Sequence, residues 1–296
     1  MKTIVIAGAS GFIGEYLSAF LTDQGCKIIT LGRTHADATW SNQPSVVNAL
    51  NGAHAVVNLA GKSVNCRFTQ ANVRELISSR VDTTQAIGDA IALCENPPAI
   101  WINASGASIY RENVTQPNVE DSPIDGEGTM AEVARTWEAA FANCHTPKTK
   151  KVALRISLVL GNGGGVYPTF RLLVKAFQGG AQGKGAHMMS WIHIHDFSRL
   201  VARILQNENN PSVMNAAAPN PLRNDAFMRA IRKSLGVGFG LSAPAPLIKI
   251  GTALLGVDSE LVLRGMNVVS NQAKIIGFEY DYPNLEDALK QLAGKK

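Results

Sequence analysis

The chain has 296 residues, enough for one large α/β domain with a smaller appendage or for two modest domains. Apolar residues make up 46% of it and charged residues 17%, an ordinary globular composition with ample material for a core. The net charge of +5 suits an anionic cofactor or substrate. Because the lysines and arginines are scattered and have no stacking aromatic residues between them, the charge does not indicate a nucleic-acid surface.

The cysteines and the amino terminus bear on the compartment. The four cysteines form neither a CxxC pair nor a grouping with zinc-site spacing. The first apolar run ends at Gly8, too soon for a signal peptide, and no run of about 18 apolar residues predicts a membrane span. These features predict a cytoplasmic protein with a small-molecule substrate and without membrane or nucleic-acid partners. We expect a monomer or a homodimer, since no helical pattern shows a clear exposed apolar stripe.

Strands and helices alternate through the first 160 residues. Runs of β-branched and other apolar residues predict buried strands at 3–7, 27–31, 54–59, 99–104 and 151–157. Helical patterns fall at 12–24, 46–50, 69–94 with a break near Arg80, and 128–143. This alternation predicts an α/β fold with a doubly wound parallel sheet and right-handed crossovers.

The pattern loosens after residue 160. We expect glycine-rich loops at 162–165 and 179–185, a helix at 166–178 and a strand at 190–194. Asp196 is the expected N-cap of the next helix, and the apolar run 241–257 is interpreted as a buried helix. We predict a dinucleotide-binding domain of residues 1–160, to which residues 186–210 also belong. Residues 161–185 and 211–296 form a smaller, mainly helical C-terminal domain.

The strongest motif is Gly8-Ala9-Ser10-Gly11-Phe12-Ile13-Gly14, directly after a strand and at the start of a helix. Gly8 allows a tight turn, Gly11 lets the backbone approach a pyrophosphate, and Gly14 lets helix and strand pack closely. The helix N-terminus offers free N–H groups to phosphates. A strand–turn–helix context makes this glycine spacing a specific sign of a Rossmann-type dinucleotide site.

The second strand ends in Gly32-Arg33-Thr34. Enzymes that use NAD usually place an acidic residue here to hold the ribose hydroxyls. A guanidinium instead suits a 2′-phosphate, so Arg33 and Thr34 predict NADP as the cofactor. The alternative interpretation of Arg33 is an ordinary surface arginine.

The third strand is followed by Leu59-Ala60-Gly61, whose small residues let the backbone lie against the cofactor. With these motifs the chain resembles the extended short-chain dehydrogenases/reductases. It is most similar to an atypical branch, the "epimerase family protein" group, labelled as nucleotide-sugar epimerases or cell-division inhibitors. The segments that carry the resemblance are 58–61, 67–69, 79–84, Trp137-Glu138, 190–196 and 277–283. Together they span nearly the whole chain.

The resemblance implies which residues contact the cofactor. They are Ser10, Gly11, Phe12 and Ile13 at the pyrophosphate, Arg33 and Thr34 at the 2′-phosphate, Leu59, Ala60 and Gly61 at the middle of the cofactor, and Glu75 and Arg80 on the helix that follows. A solvated position on that helix is the alternative for Glu75 and Arg80.

The catalytic pattern of the superfamily is incomplete here. Its members use a serine, a tyrosine that acts as acid and base, and a lysine four residues after the tyrosine. Ser105 matches the serine, but Met130 and Ala134 occupy the tyrosine and lysine positions. Tyr110 is the remaining candidate acid, or a residue that only packs against the site.

Three further residues are candidates for the substrate pocket. Arg155 on the fifth strand suits an anionic substrate, or it is buried against a carboxylate. His193 is a pocket residue or a core histidine, and Lys184 reaches a substrate phosphate or is solvated. His193 and His195 alternate on the predicted strand, but no third ligand has suitable spacing, so we predict no metal site.

Two functions remain open. The first is an NADP-dependent oxidoreductase or epimerase whose small polar substrate, such as a nucleotide sugar, lies beyond the carboxyl ends of the strands. The second is a non-catalytic protein that binds NADPH as a regulator or sensor, with the link to cell division that the family's label implies. The missing tyrosine and lysine favour the second function, and the glycine-rich loops after residue 160 favour the first.

Overall fold

A parallel sheet of seven strands lies at the centre of a computed structural model that describes residues 1–207 and 209–294. The strands of the described chain are β1 (Thr3–Ala7), β2 (Lys27–Gly32), β3 (Ala38–Thr39), β4 (Ala55–Asn58), β5 (Ile100–Gly106), β6 (Lys150–Ile156), β7 (Leu158–Gly161), β8 (Gly164–Gly165), β9 (Met188–Met189), β10 (Trp191–His193), β11 (Val213–Ala216) and β12 (Leu222–Arg223). The predicted α/β fold with a doubly wound parallel sheet is confirmed.

Helices cover both faces of this sheet and form most of the C-terminal region. Within the described residues they are α1 (Phe12–Asp23), α2 (Gln43–Leu50), α3 (Gln70–Leu93), α4 (Thr129–Asn143), α5 (Tyr167–Lys175), α6 (Ile194–Gln206), α7 (Asn224–Leu235), α8 (Ala245–Leu254), α9 (Glu260–Leu263), α10 (Asn271–Ile275) and α11 (Leu285–Leu292). None of the helices in this part of the chain is long and apolar enough to cross a membrane.

The order of the strands in the large sheet is β11-β6-β5-β4-β1-β2-β3. The chain runs outward from β1 through β2 to β3, then returns to the other side of β1 with β4. Ala7 at the end of β1 pairs with both Leu31 and Asn58, so three strand ends meet at one point. This reversal of strand order is where open parallel sheets bind their ligands.

Strand β11 extends the sheet further than the sequence indicated. Val213 pairs with Ala153 of β6, and Met214 and Ala216 are fully buried, although the segment after residue 211 was assigned to the C-terminal domain. Helices α5, α7 and α11 pack around a separate apolar core that includes Tyr167, Phe227 and Leu289. The limits of the two domains stay a prediction.

The long helix α3 is continuous through Arg80, so the break predicted there is wrong. The Thr69 side chain caps its start by accepting a hydrogen bond from Asn72 N. No proline occurs inside the helix, and Gly88 is its one glycine. Arg80 lies on the buried face, and its side chain is 9% exposed.

The start of helix α6 differs from the prediction. His193, and not Asp196, is its N-cap, because the His193 ring accepts a hydrogen bond from His195 N. Asp196 is fully buried in the first turn, where its carboxylate accepts from the N–H groups of Asp281 and Tyr282 at 2.9 Å each. The two histidines therefore lie on different elements and do not share the face of one strand.

Helix α8 is not the buried helix that its apolar sequence predicted. Ile248 is its one buried residue, whereas Leu247 and Ile250 are more than half exposed and Leu254 is 83% exposed. Burial depends on what packs against a helix as well as on its composition, and only one side of α8 meets the rest of the described chain. Contrary to our expectation, this helix does present an exposed apolar stripe.

Candidate active site

The glycine turn between β1 and α1 approaches the end of β4 too closely for side chains. Gly8 has a φ of +80°, and a Cβ on it would lie 2.8 Å from the carbonyl carbon of Leu59. A Cβ on Gly14 would lie 2.2 Å from the carbonyl oxygen of Gly8. Both positions therefore require glycine, and the turn aims the first-turn N–H groups of α1, which a helix leaves unpaired, at this edge of the sheet.

Phe12 opens helix α1, and its side chain holds the glycine-rich loop after β7. A Cβ on Gly161 would lie 2.7 Å from Phe12 Cζ, and a Cβ on Gly164 would lie 2.7 Å from Phe12 Cβ. The loop predicted at 162–165 is thus a tight hairpin of β7 and β8 that packs on one aromatic ring. The Phe12 ring therefore supports this hairpin, while its backbone belongs to the first turn of α1.

Arg33 and Thr34 follow β2 and are exposed at the same edge of the sheet. Arg33 forms no ion pair with any described residue. Asp37, the one acidic residue of this loop, accepts hydrogen bonds from Thr30 N and Thr30 Oγ1, each at 2.8 Å. These bonds hold the pKa of Asp37 below its usual value.

The loop after β4 is held by a buried amide network. Asn58 Oδ1 accepts a hydrogen bond from Ala60 N at 3.1 Å, which fixes the backbone of the Leu59-Ala60-Gly61 loop. Asn58 Nδ2 donates to Asn103 Oδ1 on β5 at 2.7 Å. Neighbouring strand ends are thus joined by side chains, and the loop lies against Gly8 without a gap.

Arg80 supports this loop from helix α3. Its guanidinium donates to Lys62 O at 3.1 Å and stacks over the Trp137 ring at 5.1 Å, and a Cβ on Gly61 would lie 3.0 Å from its Cζ. Burial lowers the pKa of Arg80 to about 10. Glu75, the other residue proposed on α3, is mostly exposed and pairs with Lys62.

Helix α4 turns Met130, Ala134 and Glu138 toward the end of β5, since residues four apart share a helix face. The Ser108 hydroxyl donates to Met130 O at 3.1 Å, and the Ala134 methyl would meet a Cβ on Gly106 at 3.5 Å. A thioether and a methyl group thus stand where the family's tyrosine and lysine are expected. Neither side chain can transfer a proton.

Glu138, one turn further along, carries the polar contacts of this face. Ser105 Oγ donates to Glu138 Oε2 at 2.9 Å, and Arg155 Nε donates to the same oxygen at 3.0 Å while its Nη2 binds Oε1. The register of β5 and β6 explains the cluster, because Ser105 and Arg155 are direct partners in the sheet. Sequence reasoning missed Glu138 as a site residue; the signal was its position one helical turn after Ala134.

Tyr110 belongs to the same buried network. Its hydroxyl accepts from Arg155 Nη1 at 2.6 Å and donates to Asn215 Oδ1 at 2.9 Å. Burial raises the pKa of Tyr110, partly offset by Arg155. The hydroxyl is therefore engaged on both sides, and Arg155 is buried against a carboxylate, which was the alternative weighed for it.

A cleft of about 480 Å³ opens beyond the carboxyl ends of β5 and β6. Helix α4 and the segment around α9 form its other walls. Its lining residues are Val64, Gly106, Ala107, Ser108, Tyr110, Arg111, Glu112, Glu127, Met130, Ile156, Ser157, Leu158, Glu260, Leu261, Arg264, Gly265 and Met266. Lys184 and His193 are not among them, Lys184 being exposed on its loop.

His193 instead joins β10 to the C-terminal helix α11. Its Nε2 lies 3.1 Å from Gln291 Oε1, and its ring packs on Tyr282 with centroids 4.3 Å apart. Burial is the main cause that lowers the pKa of His193 to about 4. The imidazole is therefore neutral in the folded protein at neutral pH.

The His193 pKa makes stability depend on pH. Between its ordinary value of 6.5 and about 4, the unfolded chain binds a proton that the folded protein does not. Stability should fall as the pH drops through this window, by as much as about 3 kcal/mol. Urea unfolding at several pH values measures it. His193→Gln should flatten this part of the profile, while substitution of the exposed His35 should leave it unchanged, and an unaltered slope in His193→Gln would contradict the assignment.

Residues 4–217 match the model of the NAD dependent epimerase/dehydratase family, and residues 243–292 match a domain of unknown function. The chain belongs to the NAD dependent epimerase/dehydratase family. The predicted resemblance to the extended short-chain dehydrogenases/reductases and their "epimerase family protein" branch is thereby confirmed. The first match runs from the second residue of β1 to one residue after β11, so it covers the large sheet except for Thr3.

Relatives of this family member align along nearly its whole length. The chloroplastic epimerase family protein SDR39U1 homolog of Arabidopsis thaliana is 32% identical, over 98% of this chain and 86% of its own. The epimerase family protein SDR39U1 of Bos taurus is 30% identical, over 98% and 99%. The crystal structure of human SDR39U1 (isoform 2) with NADPH superposes with a TM-score of 0.91 at 27% identity, covering 99% and 100% of the two chains.

Proposed function

We propose that this family member is an NADP(H)-dependent oxidoreductase or epimerase that acts on a small molecule bound in the cleft. The observation that carries the proposal is the exposed, unpaired Arg33 beside a glycine turn that admits no side chain. The similarity to human SDR39U1, whose crystal structure contains NADPH, supports the same cofactor.

The residues of the turn fit a dinucleotide. The close approaches at Gly8 and Gly14 leave a cradle that a Cβ would fill, directly before a helix N-terminus suited to a pyrophosphate. Arg33 and Thr34 would hold the 2′-phosphate, and the loop at 59–61 would lie along the middle of the cofactor. Bound there, the nicotinamide supplies hydride chemistry.

The chain itself positions the reactants. Ser105 is 3% exposed and is not part of the cleft lining, and its hydroxyl is held in one orientation by donating to Glu138. The buried pair of Glu138 and Arg155 holds that orientation. Met130 lines the cleft without offering a proton, so its contribution is shape and the exclusion of water.

The test is equilibrium binding of NADPH and NADH to the purified protein and its Arg33→Ala variant. Losing a charge-assisted contact to the 2′-phosphate should weaken NADPH binding by about 10- to 100-fold. NADH binding should stay unchanged, as should NADPH binding by Arg229→Ala, which removes an exposed arginine from α7. Equal affinities of wild type and Arg33→Ala for NADPH would overturn the assignment of this residue.

The observation that favours a second candidate, a non-catalytic NADPH-binding regulator, is the face of α4. Met130 and Ala134 replace both proton-transfer residues, and Tyr110 is held by two hydrogen bonds. The two functions separate in one assay, which follows NADPH oxidation with a panel of carbonyl compounds. Turnover that depends on residues of the cleft supports the enzyme, whereas tight NADPH binding without turnover on any compound supports the regulator.

A further inference from the structure

The cleft has a net charge opposite in sign to that of the whole protein. Three carboxylates line it, from Glu112, Glu127 and Glu260, against the two guanidinium groups of Arg111 and Arg264. The cleft is thus slightly acidic within a chain of net charge +5. Low-dielectric walls strengthen the effect of such local charge on a ligand.

Both arginines of the cleft already have carboxylate partners. Arg111 Nη2 lies 2.8 Å from Asp125 Oδ2, and Arg264 Nη2 lies 3.5 Å from Glu127 Oε2. Each pair is largely exposed and individually weak, but its two charges cancel, so the arginines add no net positive charge to the cleft. The cleft therefore offers no ready neutralisation for two negative charges.

The N-terminus of α4 also faces this region, and a helix N-terminus is a favourable place for an anion. Here Glu260 occupies it. Its carboxylate accepts hydrogen bonds from Thr129 N at 3.1 Å and Met130 N at 3.0 Å. These N–H donors are therefore occupied by a side chain of the protein itself and are not free for a phosphate.

The rest of the lining is largely apolar. It includes Val64, Met130, Ile156, Leu158, Leu261 and Met266. Ser108 and Ser157 add two hydroxyl groups, which donate to Met130 O and Ala216 O and so keep lone pairs for one ligand donor. A charged group placed against these apolar side chains without a partner would lose its hydration, at a cost of about several kcal/mol.

We propose that the cleft takes an uncharged, largely apolar alcohol or the matching carbonyl compound, and that it excludes nucleoside diphosphate sugars. That this ligand is a substrate rests on the proposed function. The chemical class of the ligand is inferred from the charge and the lining of the cleft. It replaces the small polar substrate expected from the sequence with an apolar one, because the basic excess of the chain lies outside the cleft.

The experiment uses the full chain with and without saturating NADPH. Nile red, a neutral apolar dye, reports occupation of the cleft by its fluorescence, and UDP-glucose is titrated by calorimetry as the anionic probe. Leu261→Lys puts a charge into the apolar lining, whereas Leu254→Lys puts the same charge on the exposed face of α8. The second variant is the control for dye that binds the outer apolar stripe.

We expect Nile red to bind the wild type and Leu254→Lys through the cleft. It should bind Leu261→Lys at least about tenfold more weakly, because an apolar contact of the lining is replaced by a charged, hydrated group. UDP-glucose should not bind the wild type. Micromolar binding of UDP-glucose, or equal dye affinity in Leu261→Lys and the wild type, would overturn the proposal. NADPH binding is measured in the same samples, so its absence would refute the proposed function while the apo protein still tests the cleft.

Discussion

Gly8→Ala should lower the affinity for NADPH at least about 100-fold, which corresponds to about 2.7 kcal/mol. The new methyl group would lie 2.8 Å from the backbone of Leu59 and 2.9 Å from that of Ala60, so the turn and the loop after β4 must separate. The positive φ of +80° adds strain of about 1–2 kcal/mol for alanine. A shifted turn no longer aims the N–H groups of α1 at a pyrophosphate.

Gly25→Ala is the matched control for this variant. Gly25 has the same φ of +80°, but nothing lies within 4 Å of a Cβ built on it. It should therefore lose stability through backbone strain and keep its NADPH affinity within about twofold, since the binding site is untouched. The comparison separates strain from close approach.

Gly11→Ala is a second probe of the same turn, and it replaces Gly8→Ala if that variant is too unstable to assay. Its φ of −85° is ordinary, and its Cβ would meet Gly8 O at 3.5 Å, a normal contact. The folded protein should tolerate it, so a loss of affinity would report a ligand close to this backbone. Full NADPH affinity in folded Gly8→Ala would show that the turn does not hold the cofactor.

The sequence predicted the glycine turn because its determinants are local. The β-branched run of β1, the glycine spacing and the start of α1 fall within 14 residues, and each constrains the next. The position of Arg33 followed from the end of β2 in the same way. Strand order was predictable only as a class, since the alternation of strands and helices did not indicate that β11 would join β6.

Burial and long-range pairing could not be predicted from local pattern. Helix α8 has an apolar composition, but its exposure depends on what the rest of the chain leaves uncovered. The contacts of Glu138 depend on the β5–β6 register and on the rotation of α4, which place it against residues 17 and 33 positions away in the sequence. The acidity of the cleft could not be predicted either, because its charged residues come from distant segments of the chain that meet only in the fold.

The second large effect concerns the buried pair of Glu138 and Arg155. Glu138→Ala should lower the free energy of unfolding by about 3–5 kcal/mol, because it leaves an uncompensated charge in the interior. The Arg155 side chain is 4% exposed and that of Glu138 is 16% exposed, so water cannot readily replace the lost partner. The Ser105 hydroxyl loses its acceptor in the same variant.

A surface pair gives the comparison for this measurement. Asp125→Ala breaks the ion pair with Arg111. The Asp125 side chain is 43% exposed and that of Arg111 is 66% exposed, so the free energy of unfolding should fall by no more than about 1 kcal/mol. The double variant Glu138→Leu with Arg155→Met removes both buried charges and should recover more than half of the loss. Denaturant unfolding of all variants provides the free energies. A cost below about 1 kcal/mol for Glu138→Ala would mean that Arg155 is solvated, and that Ser105 is oriented by other contacts.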